Sequence, residues 1–395
     1  MAQPTSPPLR RVAVLIRPTR SYARGLIRGI GRYNRERRRW SVWYGPHLPD
    51  DRPAAGLRGW KGDGILARIG TPSMLEAVRR TGLPVVDLRR ALRDPGIPTL
   101  GPDDRAVARL AFRHLYERGL RRFGVVAGPR GGHPALDTRA DHFARLAREA
   151  GCPCAVLRLR AGPHAGAAWE RAADRAARWV RALRAPTGVL AVNDDWGLLL
   201  LDACRRAGAA VPDDVAVLGA GNDDCLCDLA VPPLTSVDLD PERIGYEAAA
   251  RLDAMMDGGD RRARPVLVEP AGVVTRASTD VLATGDPAVV RAVRFIRDRA
   301  GDGIRVADVL RHIGMSRGAL DPRMAAVRGR TAGAEIRHAR IERAKELLAG
   351  TDVPLKRVAA QAGFRHPEYM MRAFRRAVGI TAGAFRKRAR RGARP

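Results

Sequence analysis

Short apolar runs alternate with longer segments of three- and four-residue periodicity through the first 276 residues. Val12 to Ile16 has the pattern of a buried strand, and Ala23 to Arg35 follows as a helix with Leu26, Ile27, Ile30 and Tyr33 on its apolar side. Ser41 to Tyr44, Gly64 to Ile69 and Val85 to Leu88 repeat the strand pattern, with a helix over Pro72 to Arg80 before the last of them. A second series opens after Gly101-Pro102-Asp103. It reads helix Asp104 to Arg118, strand Phe123 to Ala127, helix Thr138 to Ala150, strand Cys154 to Leu159, helix Trp169 to Leu183, strand Val189 to Val192, helix Trp196 to Ala207 and strand Val215 to Leu218. Such βα alternation implies parallel, doubly wound sheets, here in two lobes. Leu234 to Leu239 and a helix over Pro241 to Met256 would return the chain across the junction, and Pro265 to Thr275 would supply closing strands.

The last quarter changes period and reads as helices only. Ala359 and Gly363 end one short helix; Gly363 suits the positive φ of a tight turn, and Pro367 the first position of a second helix with His366 as a modest cap. Met370, Ala373, Phe374 and Ala377 define an inward face, while Glu368, Met371, Arg372 and Arg375 lie opposite. That outer face suits the major groove, where arginine donates twice to guanine and glutamate accepts from cytosine. A charged, solvated helix is the plainer reading of the same spacing. The stretch has an echo fifty residues upstream, Ile313 to Gly333 against Ala362 to Gly383, with turn glycine, basic helix and closing Thr-Ala-Gly in both. Between them Ile336 to Ala349 is helical, with Ile336, Ile341, Ala344, Leu347 and Leu348 on one side and Arg340, Arg343 and Lys345 on the other. At fourteen residues it would be roughly 21 Å long, a spacer for two readers about one DNA turn apart. Pro322 disturbs the first repeat: either the helix from Ser316 kinks over Gly318, or it starts late with Asp321 as cap and Pro322 as first residue.

The run Arg340 to Leu348, Val358-Ala359, Gly363-Phe364, Tyr369, Arg372, Phe374 to Arg376, Gly379 to Thr381 and Phe385-Arg386 together resemble the AraC-type DNA-binding domain. His366 stands where that family usually has a serine cap, and Met370 and Met324 where it usually has phenylalanine. Asn193-Asp194 after a strand, Gly208 to Val215, Leu218-Gly219 and Pro233 to Val237 resemble the LacI-type, periplasmic-binding-protein-like effector domain. The resemblance implies a chain without the N-terminal DNA headpiece usual in that family, with the DNA module expected at the other end. The fold expected is an α/β two-lobed periplasmic-binding-protein-like domain with doubly wound parallel sheets, followed by an all-α double helix-turn-helix domain. Its divisions would be a disordered tail over 1–10, a sugar-binding effector domain over 11–276, a linker over 277–288, the DNA-binding domain over 289–388 and a basic tail over 389–395.

Composition sharpens this. The net charge is +29, yet only Lys61, Lys345, Lys356 and Lys387 among 71 basic residues are lysine, a bias that a GC-rich genome alone can produce. Distribution says more. From Asp286 onward 26 basic residues face 10 acidic ones, a net +16 in 110 positions, so positive charge gathers where the helical repeats lie. Cys152, Cys154, Cys204, Cys225 and Cys227 lack C-x-x-C spacing and read as free thiols, with no metal site. Five apolar residues at Val12 to Ile16 are too few for a signal-peptide core or a membrane span, so a cytoplasmic protein is expected.

Candidate sites follow from these elements. Ligands of α/β sheets bind at strand carboxyl ends, which selects Arg20, Tyr22, Asp103, Arg139, Asn193, Asp194 and Asn222 with its neighbour Asp223 as candidate ligand contacts. Asp103 and Asp194 are equally good helix caps. Gly221 stands where sugar-binding relatives generally place an aspartate, and Ala23 is a further departure. Candidate DNA contacts are Ser316, Arg317 and Arg323 in the first motif, and Arg365, His366, Glu368, Met371, Arg372 and Arg375 in the second. No P-loop or H-E-x-x-H motif occurs in the sequence, and Gly128 to Gly132 lacks dinucleotide-loop spacing. The resemblance implies a sugar-responsive activator of pentose catabolic genes, without cofactor or catalysis. Its partners would be double-stranded DNA, xylose or a related monosaccharide, a second copy in a homodimer, and RNA polymerase. The alternative is a sugar-binding protein without regulatory role, or a sugar or phosphosugar enzyme with a basic helical appendage.

Overall fold

The structure, a computed structural model, describes residues 9–45, 57, 59–160, 166–281 and 286–392. Most of the expected N-terminal tail, residues 282–285 of the linker and residues 393–395 lie outside the described residues. The chain divides between residues 283 and 284 into two compact units.

In the first unit, β1 (Arg10–Leu15), α1 (Ser21–Arg37), β2 (Trp40–Tyr44), β3 (Gly64–Ala67), α2 (Pro72–Arg79), β4 (Val85–Asp87) and β5 (Thr99–Pro102) form one lobe. The other lobe takes α3 (Asp104–Glu117), β6 (Phe123–Ala127), α4 (Pro134–Glu149), β7 (Cys154–Arg158), α5 (Gly166–Arg181), β8 (Thr187–Ala191), α6 (Asp194–Ala207), β9 (Val215–Ala220), α7 (Asp224–Leu229) and β10 (Thr235–Asp238). Then α8 (Pro241–Met256) packs back on α1, and β11 (Pro265–Val268) and β12 (Gly272–Val274) follow. The sheet orders are β11-β5-β4-β3-β1-β2 and β12-β10-β9-β8-β6-β7, parallel except where β12 meets β10. The two closing strands therefore serve different lobes, β11 the first and β12 the second. Every residue of β6, β8 and β9 is buried, as helices on both faces of a parallel sheet require. Arg10 belongs to β1 and so is part of the sheet, not of a tail. Two elements escaped the pattern: β5 carries glycine and proline, and α7 is a single short helix.

The segment read as the start of a linker is core. Ala277–Thr279 forms a 3-10 turn in which Ser278 and Thr279 are fully buried. The Ser278 hydroxyl donates to the Val217 carbonyl (2.6 Å) and accepts from the Thr235 amide (2.8 Å), and Thr279 Oγ1 bonds to Thr235 and His114. Buried polar groups need such partners, so these residues are fixed to the second lobe.

The second unit is helical: α9 (Pro287–Arg299), a 3-10 turn (Ala300–Asp302), α10 (Val306–Ile313), α11 (Arg317–Arg328), α12 (Ala332–Gly350), α13 (Leu355–Gln361), α14 (Pro367–Val378) and α15 (Ala382–Gly392). Residues 389–392 thus continue a helix where a tail was expected. The central α12 has 19 residues, five more than its pattern marked. Its two halves are buried against different motifs, so no single apolar stripe runs its length. Arg340, expected on its outer side, is half-buried: its guanidinium donates to the Ile304 (2.6 Å) and Ala300 (3.4 Å) carbonyls and lies over the Phe364 ring. It joins the two motifs at the middle. Ile341, Ala344, Leu348, Val358, Ala359, Phe364, Met370 and Phe374 form the core of the second motif.

Pro322 lies inside α11, which starts at Arg317 with Ser316 capping the Ala319 amide (3.3 Å). The late start with Asp321 as cap is therefore incorrect. Asp321 instead accepts from the Ala332 amide (2.9 Å) and pairs with Arg317 (3.0 Å), while Leu320 and Met324 are fully buried on either side of the proline. Tertiary anchoring at both ends of the break holds the helix that local propensity opposes.

Candidate functional site

Between the lobes of the first unit lies a cleft of about 470 Å³, within the range of small-molecule sites. Its walls are the carboxyl ends of parallel strands. The β1–α1 loop supplies Arg17 and Arg20, with Tyr22 in the first turn of α1; Arg68 follows β3, Arg89 and Arg90 follow β4, and Asp104 opens α3. From the second lobe come His133 and Arg139 at the start of α4, Asn193 to Asp195 after β8, and Gly221 and Asp223 after β9.

Asp104 lies where the chain first crosses between lobes, and is 2% exposed. One carboxylate oxygen accepts from Arg139 Nη2 (2.7 Å) and Nε (3.1 Å), and the other from Arg90 Nη1 (3.1 Å), so arginines of both lobes share one carboxylate. Arg139 also donates to the Val192 carbonyl. On the facing wall Asp194, 3% exposed, accepts from the Asp223 amide (2.8 Å) and the Ser236 hydroxyl (2.6 Å). Burial pushes its pKa up to about 6 against the pull of those two bonds. The lobes also meet through an Arg20–Asp195 ion pair and through the Ser21 amide, which donates to Asp223 (2.9 Å).

Gly221 has a local cause. Its φ is +136°, and an added Cβ would lie 2.9 Å from Asp194 Oδ2. An aspartate there would need strained backbone and would place a second carboxylate against Asp194.

Of the residues selected from sequence, the fold brings Arg20, Tyr22, Arg139, Asn193 and Asp194 to the cleft and leaves Asp103 and Asn222 out of its lining. Asp103 caps α3 through the Arg105 (2.8 Å) and Ala106 (3.0 Å) amides, and its neighbour Asp104 is the one turned inward. Asn222 is held away by Asp238 (3.2 Å) and Arg276 (3.1 Å). Asn193 caps α6 through the Trp196 amide (3.0 Å). Sequence reasoning passed over Arg17, Arg68, Arg89, Arg90, Asp104, His133 and Asp195. The strand-end rule that selected Arg20 applies equally to Arg68 and Arg89.

In the helical unit, Ser316, Arg317, Arg323, Arg365, His366, Glu368, Met371, Arg372 and Arg375 are all exposed. Ser316 is occupied as a cap, Arg317 by Asp321, and Arg323 lies 3.6 Å from Asp286. Among the described residues Arg365, Glu368, Arg372 and Arg375 have no ion-pair partner, so one face of α14 and the turn before it offers unpaired donors and an acceptor. His366 occupies the N-cap position but makes no side-chain cap bond, and Ala377, expected inward, is exposed; Met370 and Phe374 alone are fully buried.

Comparison with known proteins agrees with both halves. Residues 112–279 match the periplasmic binding protein-like domain, and residues 309–388 match the helix-turn-helix domain. The chain joins a periplasmic binding protein-like domain to a helix-turn-helix domain. The two-lobed fold with its C-terminal double helix-turn-helix is therefore as the sequence implied. It is 28% identical over 385 residues to the xylose operon regulatory protein of Escherichia coli (strain K12), covering 95% of this chain and 96% of that one. The protein of the same name from Haemophilus influenzae is also 28% identical, covering 95% and 98%. The solved structure of the xylose-binding transcription activator XylR superposes with a TM-score of 0.77 at 27% identity, covering 96% of this chain and 98% of that one. The CelR–cellobiose complex shares the fold over 69% of this chain and 86% of that one, with a TM-score of 0.56 at 24% identity.

Proposed function

We propose that this chain is a sugar-responsive, sequence-specific DNA-binding regulator of transcription. The observation that carries the reading is a monosaccharide-sized cleft at strand carboxyl ends in the same chain as a basic helix-turn-helix unit whose α14 presents Glu368, Arg372 and Arg375 unpaired. Similarity along almost the whole length to xylose operon regulators supports it.

In this reading Arg372 and Glu368 read base edges, while Arg317, Arg323, Arg365 and Arg375 contact phosphate. The effector is xylose or a related monosaccharide, held by Arg20, Tyr22, Asn193, Asp194 and Asp223, and it favours one lobe arrangement over another. Coupling requires only that the ligand bind one arrangement better, typically by about 1 to 3 kcal/mol. The chain acts as a homodimer and an activator that engages RNA polymerase at genes of pentose catabolism, inside the cytoplasm and without catalysis. No helix among the described residues is long and apolar enough to cross a membrane.

The test is DNA binding by the full chain across ionic strength. If about 6 to 10 phosphates are contacted, raising salt from about 50 to 200 mM weakens binding by roughly 10³ to 10⁵. A flat salt response refutes the reading.

A further inference from the structure

The cleft is chemically lopsided. Ligand sites of this size are mostly apolar and aromatic with a few placed polar groups. Among the described residues Tyr22 and His133 are the only aromatic rings in the lining, against six arginines and four aspartates. Asp104 is shared by Arg90 and Arg139, and Asp195 takes Arg20. Asp194 and Asp223 are occupied by amides and a hydroxyl, all of the second lobe except the Ser21 amide of the first. Among the described residues no carboxylate pairs with the guanidinium of Arg89.

The arrangement follows from topology. β4, β3 and β1 are neighbours in the first sheet, and their carboxyl ends deliver Arg89, Arg68 and Arg17 to one wall. Arg68 lies 5.7 Å over the Tyr22 ring, and the Arg89 guanidinium rests against Gly70, where a Cβ would come within 2.7 Å of it. Opposite them is His133, whose Nδ1 is buried without a hydrogen-bond partner among the described residues. Burial and then the surrounding arginines, Arg89 first, hold His133 neutral down to about pH 4, an independent sign of positive potential. Guanidinium groups gathered in a concave, low-dielectric wall make it attractive to anions, and their planar fork fits carboxylate or phosphate oxygens.

We propose that the effector is an anionic monosaccharide derivative, a sugar acid or a sugar phosphate, with its charged group on the arginine wall of the first lobe and its hydroxyls toward Asn193 and Asp223 of the second. This rests on the effector reading above and narrows it: a neutral pentose leaves the Arg89 guanidinium without an anionic partner among the described residues.

The test uses the full chain and matched trios on one carbon skeleton, followed by thermal shift and calorimetric titration. D-glucose is compared with D-glucuronate and D-glucose 6-phosphate, and D-xylose with D-xylonate and D-xylose 5-phosphate. We expect at least one anionic member to bind where its neutral parent does not, the carboxylate and phosphate arms separating the two chemistries. Arg89→Gln should lower that affinity roughly tenfold to a hundredfold, with Arg89→Lys falling between it and the native chain because lysine keeps the charge and loses the planar fork. A neutral parent binding as tightly as its derivatives, silence across both trios, or an Arg89→Gln variant of unchanged affinity would each overturn the proposal. DNA binding measured on the same preparation separates the two claims. A neutral sugar that binds and alters DNA affinity leaves the regulator standing without the anion. An anion that binds a chain with no DNA affinity does the reverse.

Discussion

The two helix-turn-helix motifs share a frame and differ on the face the frame presents. Gly314 and Gly363 turn at φ of +71° and +79°, Gly329 and Gly379 end the second helices at +64° and +80°, and Thr331 and Thr381 cap the helices that follow. Leu320 and Met324 are fully buried where Met370 and Phe374 are in the other. Outward the correspondence ends. Positions fifty residues apart put Gly318 against Glu368, Asp321 against Met371 and Pro322 against Arg372. The first motif keeps what folding needs and has no side chain able to pair with a base edge at the two positions where the second has arginine and glutamate. Repetition of a fold therefore need not repeat its reading, and base recognition is expected from α14, with α11 serving chiefly to anchor on phosphate.

The largest effect that could break this comparison is structural. At Gly363 an added Cβ would meet the Ala300 carbonyl oxygen at 1.9 Å, whereas at Gly314, with nearly the same φ, it meets nothing within 4 Å. Gly363→Ala should cost about 3 kcal/mol or more and Gly314→Ala about 1 to 2 kcal/mol in denaturant unfolding. Equal costs would mean that the motifs are packed alike. Next comes binding. Arg372→Ala should lose roughly 1 to 3 kcal/mol and relax preference at one base pair, while Arg317→Ala and Arg323→Ala weaken binding to all sequences and lower the salt slope by about 1 each. Base-specific loss at Arg317 would make the first motif a reader after all. A smaller effect is expected at Asp321, where removing the acceptor of the Ala332 amide should cost about 1 kcal/mol of stability, against almost nothing for exposed Met371→Ala. The smallest is Pro322→Ala, which restores a helical hydrogen bond and should leave base preference unchanged in a binding-site selection.

The same contrast explains what the sequence revealed. Strands such as Phe123 to Ala127 and the helix Pro241 to Met256 were legible to the residue, because a strand buried on both faces is a pure apolar run and a proline marks a helix start. Ser316 could be assigned as a cap only once tertiary packing at Leu320 and Met324 overrode Pro322. Arg340 was misread because position on a helix wheel does not show that Ile304 and Ala300 turn carbonyls toward it. Asp103 and Asp104 are adjacent and chemically alike; which one caps and which faces the cleft depends on the first turn of α3. The arginine wall was hidden by abundance: in a chain so rich in arginine, Arg68 and Arg89 look like composition until neighbouring strand ends converge.

The most direct test of the account is coupling between the two units. Random duplexes would be selected with the full chain, and affinity for the enriched sequence then measured at fixed salt with and without each member of the two sugar trios. The account predicts an enriched sequence bound about 10³-fold or more above random duplex, and an affinity that one sugar changes by roughly 5- to 150-fold. No enrichment, or an enriched site whose affinity is indifferent to every sugar that binds the cleft, would contradict it.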